Sequence, residues 1–314
     1  MFAEVGDDVG LAKAWRRLAM VDVVACRLAP AAEEFERART AAQRAKDTRE
    51  EARASNMIFH CLVVGPTPVP AAIARCEELV EESGRHRSVE AFGLAALANL
   101  HAMVARFDEA RRLLARSDAI FEELGQTRRK VETAFFAAEA ELLAGDAAAA
   151  HRTLARAYRT IAPTNQRGYL ASLAAARAEP LEELGHYRGA ERLTAVSRAL
   201  AGADDVDAQV KWRQIRARIC ARRGDFETAS ALGREAIRHA DATDALNMRA
   251  GMLVDLADVF RLAGEVDAAE ATAEEAAGLY VQKGNLVGER RARAVVAQLA
   301  ATVTGAEHRP EIKV

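Results

Sequence analysis

The feature that most constrains this sequence is a pair of alanine columns that repeats along almost its whole length. One column is formed by Ala31, Ala72, Ala110, Ala150, Ala190, Ala229 and Ala269. Twelve residues before each of them lies a partner position, filled by Ala19, His60, Ala98, Ala138, Ala178, Ala217 and Ala257. Successive units are 38 to 41 residues apart, while the twelve-residue gap never varies. Such self-similarity is typical of repeat proteins, in which each unit packs on its neighbours.

Alanine at both positions has a physical reason. Two antiparallel helices joined by a short turn cross at one point, and a methyl group on each side lets their axes approach to about 8–9 Å. Midway between the columns, Gly145, Gly185, Gly224 and Gly264 share one position, which suits a helix C-terminus that needs a positive φ. The pattern therefore predicts an all-α fold, a right-handed α-solenoid of about seven antiparallel helix pairs with a period of about 40 residues.

The same register divides the chain. We expect one helical repeat domain over residues 1–303, followed by a polar tail over 304–314. The predicted units lie near 12–50, 51–90, 91–130, 131–170, 171–209, 210–249 and 250–285, and a capping helix follows at 286–303.

Composition agrees with helices and excludes some partners. Half of the residues are hydrophobic but only 5% are aromatic, a balance that favours closely packed helices over β-sheets. The formal net charge is −2, so no global basic field exists to hold nucleic acid or an acidic membrane. We find no secretory signal and no apolar run of about 18 residues, and we therefore expect a cytoplasmic location.

Motifs for catalysis are missing. The sequence contains no GxxxxGK[ST], GxGxxG, HExxH or GxSxG pattern. Its cysteines, Cys26, Cys61, Cys76 and Cys220, are far apart and form no CxxC. We therefore expect no enzymatic activity, no cofactor and no metal site.

The repeat resembles the tetratricopeptide repeat, with a period nearer 40 than 34. Stretches such as "ARFDEARRLLARSDAIFEELG" and "KWRQIRARICARRGDFETASALGREAI" are similar to the C-terminal repeat arrays of bacterial regulators. These regulators are the actinobacterial cyclases fused to STAND-type ATPases and the MalT-like members of the LuxR family. The resemblance covers residues 6 to 300. It implies a sensor or interaction arm, with an ATPase or cyclase domain in the same or a neighbouring reading frame as a partner.

Solenoids of this kind bind partners on their concave face, which is lined by the first helix of each pair. Columns next to the alanines should point into that groove. The candidate residues are Arg16, Phe92, Asn99, Phe135, Glu139, Glu179, Lys211, Gln214, Arg218, Arg222 and Asp258. The predicted function is non-catalytic binding of a protein segment, a peptide or a small effector. The alternative is a scaffold that self-associates through its ends or its groove.

Within this set, Lys211, Gln214, Arg218 and Arg222 recur at helical spacing and form one stripe. The stripe could hold a phosphate or an acidic peptide. The alternative is pairing inside the chain with the glutamates at 179, 182 and 183 on the preceding first helix.

One stretch interrupts the pattern. "HCLVVGPTPVP", at 60–70, holds three prolines where the register predicts the end of a first helix and a turn, with Pro70 at the start of the next helix. We interpret it as a structural turn; the alternative is a rigid contact loop. His60 in the alanine column predicts either a wider crossing against Ala72 or an imidazole that is rotated outward. Pro180 lies inside a predicted helix and should either kink it or end it early.

Overall fold

The computed structural model describes residues 2, 6–84, 86–164 and 166–307, with side chains as far as residue 299. This part of the chain folds into fifteen helices: α1 (Asp8–Val24), α2 (Leu28–Arg44), α3 (Thr48–Val64), α4 (Val69–Glu82), α5 (Arg87–Met103), α6 (Phe107–Glu123), α7 (Thr127–Leu143), α8 (Ala147–Ile161), α9 (Arg167–Glu183), α10 (Tyr187–Leu200), α11 (Val206–Arg222), α12 (Phe226–Ala240), α13 (Leu246–Ala263), α14 (Val266–Lys283) and α15 (Leu286–Glu307).

Consecutive helices pair as the alanine columns predict. Every alanine of the two columns is at most 3% exposed, which confirms that the small side chains lie where paired helices cross. The pair that carries His60 in place of an alanine differs from the others. His60 is only half-buried, and α3 packs less closely on α4 than the two helices of any other pair pack on each other. The His60 ring lies 6.1 Å from the ring of Phe136 in α7.

The turns inside the pairs share one backbone conformation. The glycines of the turn column, such as Gly145 and Gly264, have φ values of +80° and +82°. In the first and third pairs the same position is taken by Cys26 and Ala105, which also have positive φ values, of +51° and +61°. The second pair differs, because Gly65 has a φ of −76° and a ψ of −172°. Its turn is therefore extended.

The prolines are accommodated in two ways. Pro70 lies in the first turn of α4, where its missing N–H has no helical partner to lose. Pro180 lies inside α9, which continues to Glu183. The helix therefore does not end early at Pro180.

The second helix of each pair packs on the first helix of the next pair, and α15 packs on α13 and α14 at the end of the array. The last turn of α15 reaches Glu307 and so overlaps the predicted tail at 304–314; residues 308–314 lie outside the described part. Within the described residues, no helix is both long and apolar enough to span a bilayer.

Candidate functional site

An ionic cluster lies on the concave face, on the first helices of the fifth to seventh pairs. Arg218 of α11 is 9% exposed and forms a close ion pair with Glu182 of α9. Its guanidinium also lies 3.7 Å from a carboxylate oxygen of each of Glu179, Glu183 and Asp255. Burial lowers the pKa of Arg218, but the four carboxylates outweigh it and hold that pKa above its usual value. We call these five residues the ionic cluster.

Asp255 of α13 connects the cluster to the end of the array. Its carboxylate accepts hydrogen bonds from Nε2 of Gln214 at 2.6 Å and from Nη2 of Arg291 at 3.1 Å. Arg291 belongs to α15, and the charge of Asp255 raises its pKa. Polar contacts thereby join α9, α11 and α13, the first helices of three successive pairs, across the concave face.

Three of the four stripe residues on α11, all except Lys211, have partners within the chain. Arg222 donates from Nε to Glu182 at 2.5 Å, and the Glu182 side chain is 0% exposed. Together with the pairing of Arg218, this is the intramolecular arrangement that the sequence left open as an alternative. A buried guanidinium with four carboxylates around it has little capacity left for an external phosphate.

Glu139 and Lys211 differ from these pairs. Neither has a hydrogen bond or a direct ion pair in the described part of the chain, and their interaction is electrostatic at longer range. Burial and the charge of Glu179 raise the pKa of Glu139, and Lys211 opposes the rise. The Glu139 side chain nevertheless remains exposed to solvent. Glu139 therefore lies close to Glu179 and Lys211 while its side chain still touches water.

The preceding units line the interior differently. The rings of Phe59 and Phe92 are stacked 6.4 Å apart, and Phe92 meets Phe136 edge-on at 5.7 Å. We call these three residues the aromatic cluster. Beside it, Asn99 is 1% exposed and donates to the Phe136 carbonyl oxygen at 3.2 Å, while its Oδ1 has no hydrogen-bond partner. Phe135 is half-buried and meets Tyr169 edge-on at 5.7 Å.

Two candidates lie in local ion pairs. Arg16 of α1 donates to Glu50 of α3 at 2.7 Å. Asp258 accepts from Arg261, three residues further along α13, at 3.1 Å. Neither has a polar contact with the ionic cluster.

The structure thus brings six of the eleven candidates together: Glu139, Glu179, Lys211, Gln214, Arg218 and Arg222. Phe92 and Asn99 are buried beside them in the interior of the earlier units. Sequence reasoning missed Asp255 and Arg291 as members of the group. Asp255 lies two residues before the alanine column and Arg291 lies in the helix interpreted only as a cap, so neither fell in a column expected to face the groove.

Comparison with known proteins identifies the fold and no more. No protein-family model matches the sequence, and a search of curated proteins finds no significant relative. Solved structures do match. A chain of the APC/C hetero-tetramer Cut9–Hcn1 aligns with a TM-score of 0.64 at 13% identity, over 91% of this chain and 54% of that one. This chain is therefore a tetratricopeptide-like solenoid. It spans about half of the length of the Cut9–Hcn1 chain that it matches.

Two further matches are sensors by their descriptions. The apo form of the quorum sensor NprR from B. thuringiensis aligns with a TM-score of 0.58 at 13% identity, over 98% of this chain and 84% of that one. A STAND protein with a tetratricopeptide repeat sensor, from Pyrococcus horikoshii, aligns with a TM-score of 0.53 at 11% identity, over 95% of this chain and 49% of that one. Likeness at this level of identity concerns the fold alone.

Proposed function

We propose that this chain is a non-catalytic binding module whose concave interior takes a peptide, a protein segment or a small effector. The observation that carries the proposal is that Glu139 and Lys211 lie near each other and lack direct partners. Glu139 is exposed and Lys211 is half-buried, each acts electrostatically on the other, and neither has a direct partner in the described residues. Unpaired charges beside buried aromatic rings are the mixture that ligand sites use to combine affinity with orientation.

We further propose that the module serves as the sensor or interaction arm of a bacterial signalling or transcriptional regulatory system. The resemblance of its repeats to those of STAND-type and MalT-like regulators supports this, as does the likeness of its fold to two sensors. In that arrangement an ATPase or cyclase domain, encoded in the same or a neighbouring frame, is a second partner. Inspection of the adjacent reading frames tests this step, and neighbours that encode neither domain would count against it.

The binding function is tested with a defined probe. The purified chain is immobilised and panned against a random peptide library displayed on phage, and selected peptides are then titrated by calorimetry. We expect Glu139→Gln and Lys211→Met to weaken binding, and Glu274→Gln, on the exposed surface of α14, to leave it unchanged. Peptides that bind all three variants equally well would place the site outside the interior.

A second candidate function, self-association, has an observation of its own. Leu18 and Val21 of α1 are 50% and 61% exposed. Their equivalents in the next unit, Phe59 and Leu62, are 0% and 7% exposed, because α2 packs on α3 there. The uncovered face of α1 could accept a helix from another copy. Light scattering tests self-association. A chain that is monomeric at all concentrations would argue against the scaffold, and a dimer that the Val21→Glu substitution dissociates would support it.

A further inference from the structure

A buried lysine near the end of the chain holds a turn near its beginning. Lys283, the last residue of α14, is 0% exposed. Its Nζ donates to the carbonyl oxygens of Leu62, Gly65 and Thr67 at 3.0, 2.7 and 2.8 Å. An ammonium has three donors, so these contacts use all of them. No carboxylate in the described residues forms a direct ion pair with this lysine.

The proline-rich turn is built to receive this ammonium. In a continuing helix the Leu62 carbonyl would accept from the N–H of residue 66, but residue 66 is proline and has none. The extended backbone of Gly65 replaces the left-handed turn of the other pairs. A Cβ at Gly65 would lie 2.6 Å from the Cys61 carbonyl oxygen and 2.7 Å from Leu28 Cβ. The turn therefore presents carbonyl oxygens that have lost their local donors, and Lys283 supplies the donors.

A second contact joins the same two regions. Asp244, in the loop between α12 and α13, accepts from the backbone N–H groups of Leu28 and Ala29, both at 2.7 Å. Its own N–H donates to the Cys26 carbonyl oxygen at 3.2 Å. The residue before α2, Arg27, makes no side-chain cap, so Asp244 acts as the N-cap of α2 from more than two hundred residues away.

Smaller contacts lie between these two. Ala245 is 0% exposed and belongs to an apolar core that is otherwise formed by the first four units. Asn247 contacts the sulfur of Met103 at 3.5 Å and is held by Asn285, which donates to it at 3.0 Å. The loops at the end of the array therefore lie on the turns at its beginning, and the solenoid is closed on itself.

We propose that Asp244 and Lys283, with the backbone groups that they bind, form a clasp that holds the array closed and controls access to its interior. The control of access rests on the proposed binding function, whereas the closure does not. The buried alanines make much of the contact between paired helices apolar, whereas Asp244 and Lys283 bind backbone groups through hydrogen bonds. Burial lowers the pKa of Lys283 to about 8, because the ammonium is desolvated without a counter-ion. When the clasp opens, water can take over the hydrogen bonds of the ammonium and of the freed backbone groups, so local opening at this contact is part of the proposal.

Closure is tested by the double variant Asp244→Ala/Lys283→Met. The matched control is Asp146→Ala/Lys130→Met, which removes the local N-cap of α8 and a lysine that pairs with Asp118 and Glu122. We expect the clasp variant to keep its helical circular dichroism and to show a larger radius of gyration in X-ray scattering. The amides of Leu28 and Ala29 should exchange about tenfold faster or more. The control should match the wild type in radius and in exchange at these two amides.

A clasp variant that is helical, as compact as the wild type and equally protected at Leu28 and Ala29 would overturn the proposal. Each single variant is measured as well. If both singles lose their helical signal, the contacts belong to the folding core and are no clasp, and the proposal fails in that case also.

Access is measured without any natural ligand. A cysteine introduced as Glu139→Cys is labelled with N-ethylmaleimide and with a bulky polyethylene-glycol maleimide; the four native cysteines are buried. We expect the small reagent to label this cysteine equally in the closed and clasp-variant backgrounds, and the bulky reagent to react faster in the clasp variant. If the bulky reagent reacts equally fast in both backgrounds, the clasp does not control access. The conclusion about closure, which comes from the scattering, would then still stand. Neither outcome depends on whether a peptide binds.

Discussion

The aromatic cluster and the ionic cluster both lie on the first helices of their pairs and use opposite chemistry. In the second to fourth pairs, Phe59, Phe92 and Phe136 are at most 5% exposed and touch one another through their rings. In the fifth to seventh pairs, Arg218 and Glu182 are 9% and 0% exposed and are held by charge. The alanine columns are the same in both regions. The repeat therefore fixes where helices cross and leaves the chemistry of the concave face free to vary.

The two clusters contribute differently to stability. Burying an aromatic side chain removes apolar surface from water and is favourable by itself. Burying a guanidinium and a carboxylate removes both from water, which is unfavourable, and their mutual attraction is favourable by a similar amount. The aromatic side of the interior is thus the stabilising one, while the ionic side is close to neutral as long as each charge keeps its partners.

The largest expected effect is on the aromatic side. Phe59→Ala should lower the free energy of unfolding by about 3–5 kcal/mol, because the ring is fully buried and the cavity is enclosed. The packing leaves little room for collapse, since a Cβ on Gly93 would already lie 2.7 Å from the Phe59 ring. Urea unfolding measures the loss. A loss below 1 kcal/mol would mean that the neighbouring helices close the cavity.

A loss of about 3 kcal/mol is expected for Arg218→Met, which leaves the fully buried Glu182 with Arg222 alone. The double variant Arg218→Met/Glu182→Met should recover a large part of this loss, because the unpaired charge is removed with its partner. No second substitution of this kind would rescue Phe59→Ala. The control is Arg112→Met, whose arginine is 76% exposed and pairs with Glu109 in its own helix; it should cost under about 0.5 kcal/mol. A double variant less stable than Arg218→Met would contradict the comparison.

The fold followed from the sequence because its determinants are local. The crossing alanines, the left-handed glycines and the wider crossing at His60 all act between helices that are adjacent in the chain. The same register placed Pro70 in the first turn of α4. Each of these features depends on one helix pair and can be recognised from spacing alone.

The closed shape cannot be predicted from the sequence in the same way, because it depends on the small rotation between neighbouring units, summed over the whole array. The contacts of Lys283 and Asp244 join residues more than two hundred positions apart, and no repeat column marks either residue. The proline-rich turn is irregular in the sequence, but which residue binds it depends on the curvature of the array. Asn99 and Phe92 were placed on the concave side, yet their burial depends on how closely the neighbouring first helices approach. That approach is again a property of the whole solenoid.

The smallest expected effect concerns Glu139, which faces the ionic cluster without a direct partner. Its pKa is raised in the folded protein by burial and by Glu179, so the folded state binds a proton more readily than the unfolded chain does. The resulting penalty on stability is complete above the folded pKa and disappears as the pH falls towards the ordinary value of 4.5. Glu139→Gln should therefore raise the melting temperature at neutral and alkaline pH, and the difference from the wild type should shrink on acidification.

Carboxylates whose pKa is lowered in the folded protein, such as Glu82 and Glu235, make stability fall on acidification. They do so equally in the wild type and in Glu139→Gln, so their effect cancels in the difference between the two melting temperatures. Glu274→Gln, on the exposed face of α14, should follow the wild type at every pH. If the difference in melting temperature between Glu139→Gln and the wild type stays constant with pH, the folded protein does not shift the titration of this carboxylate.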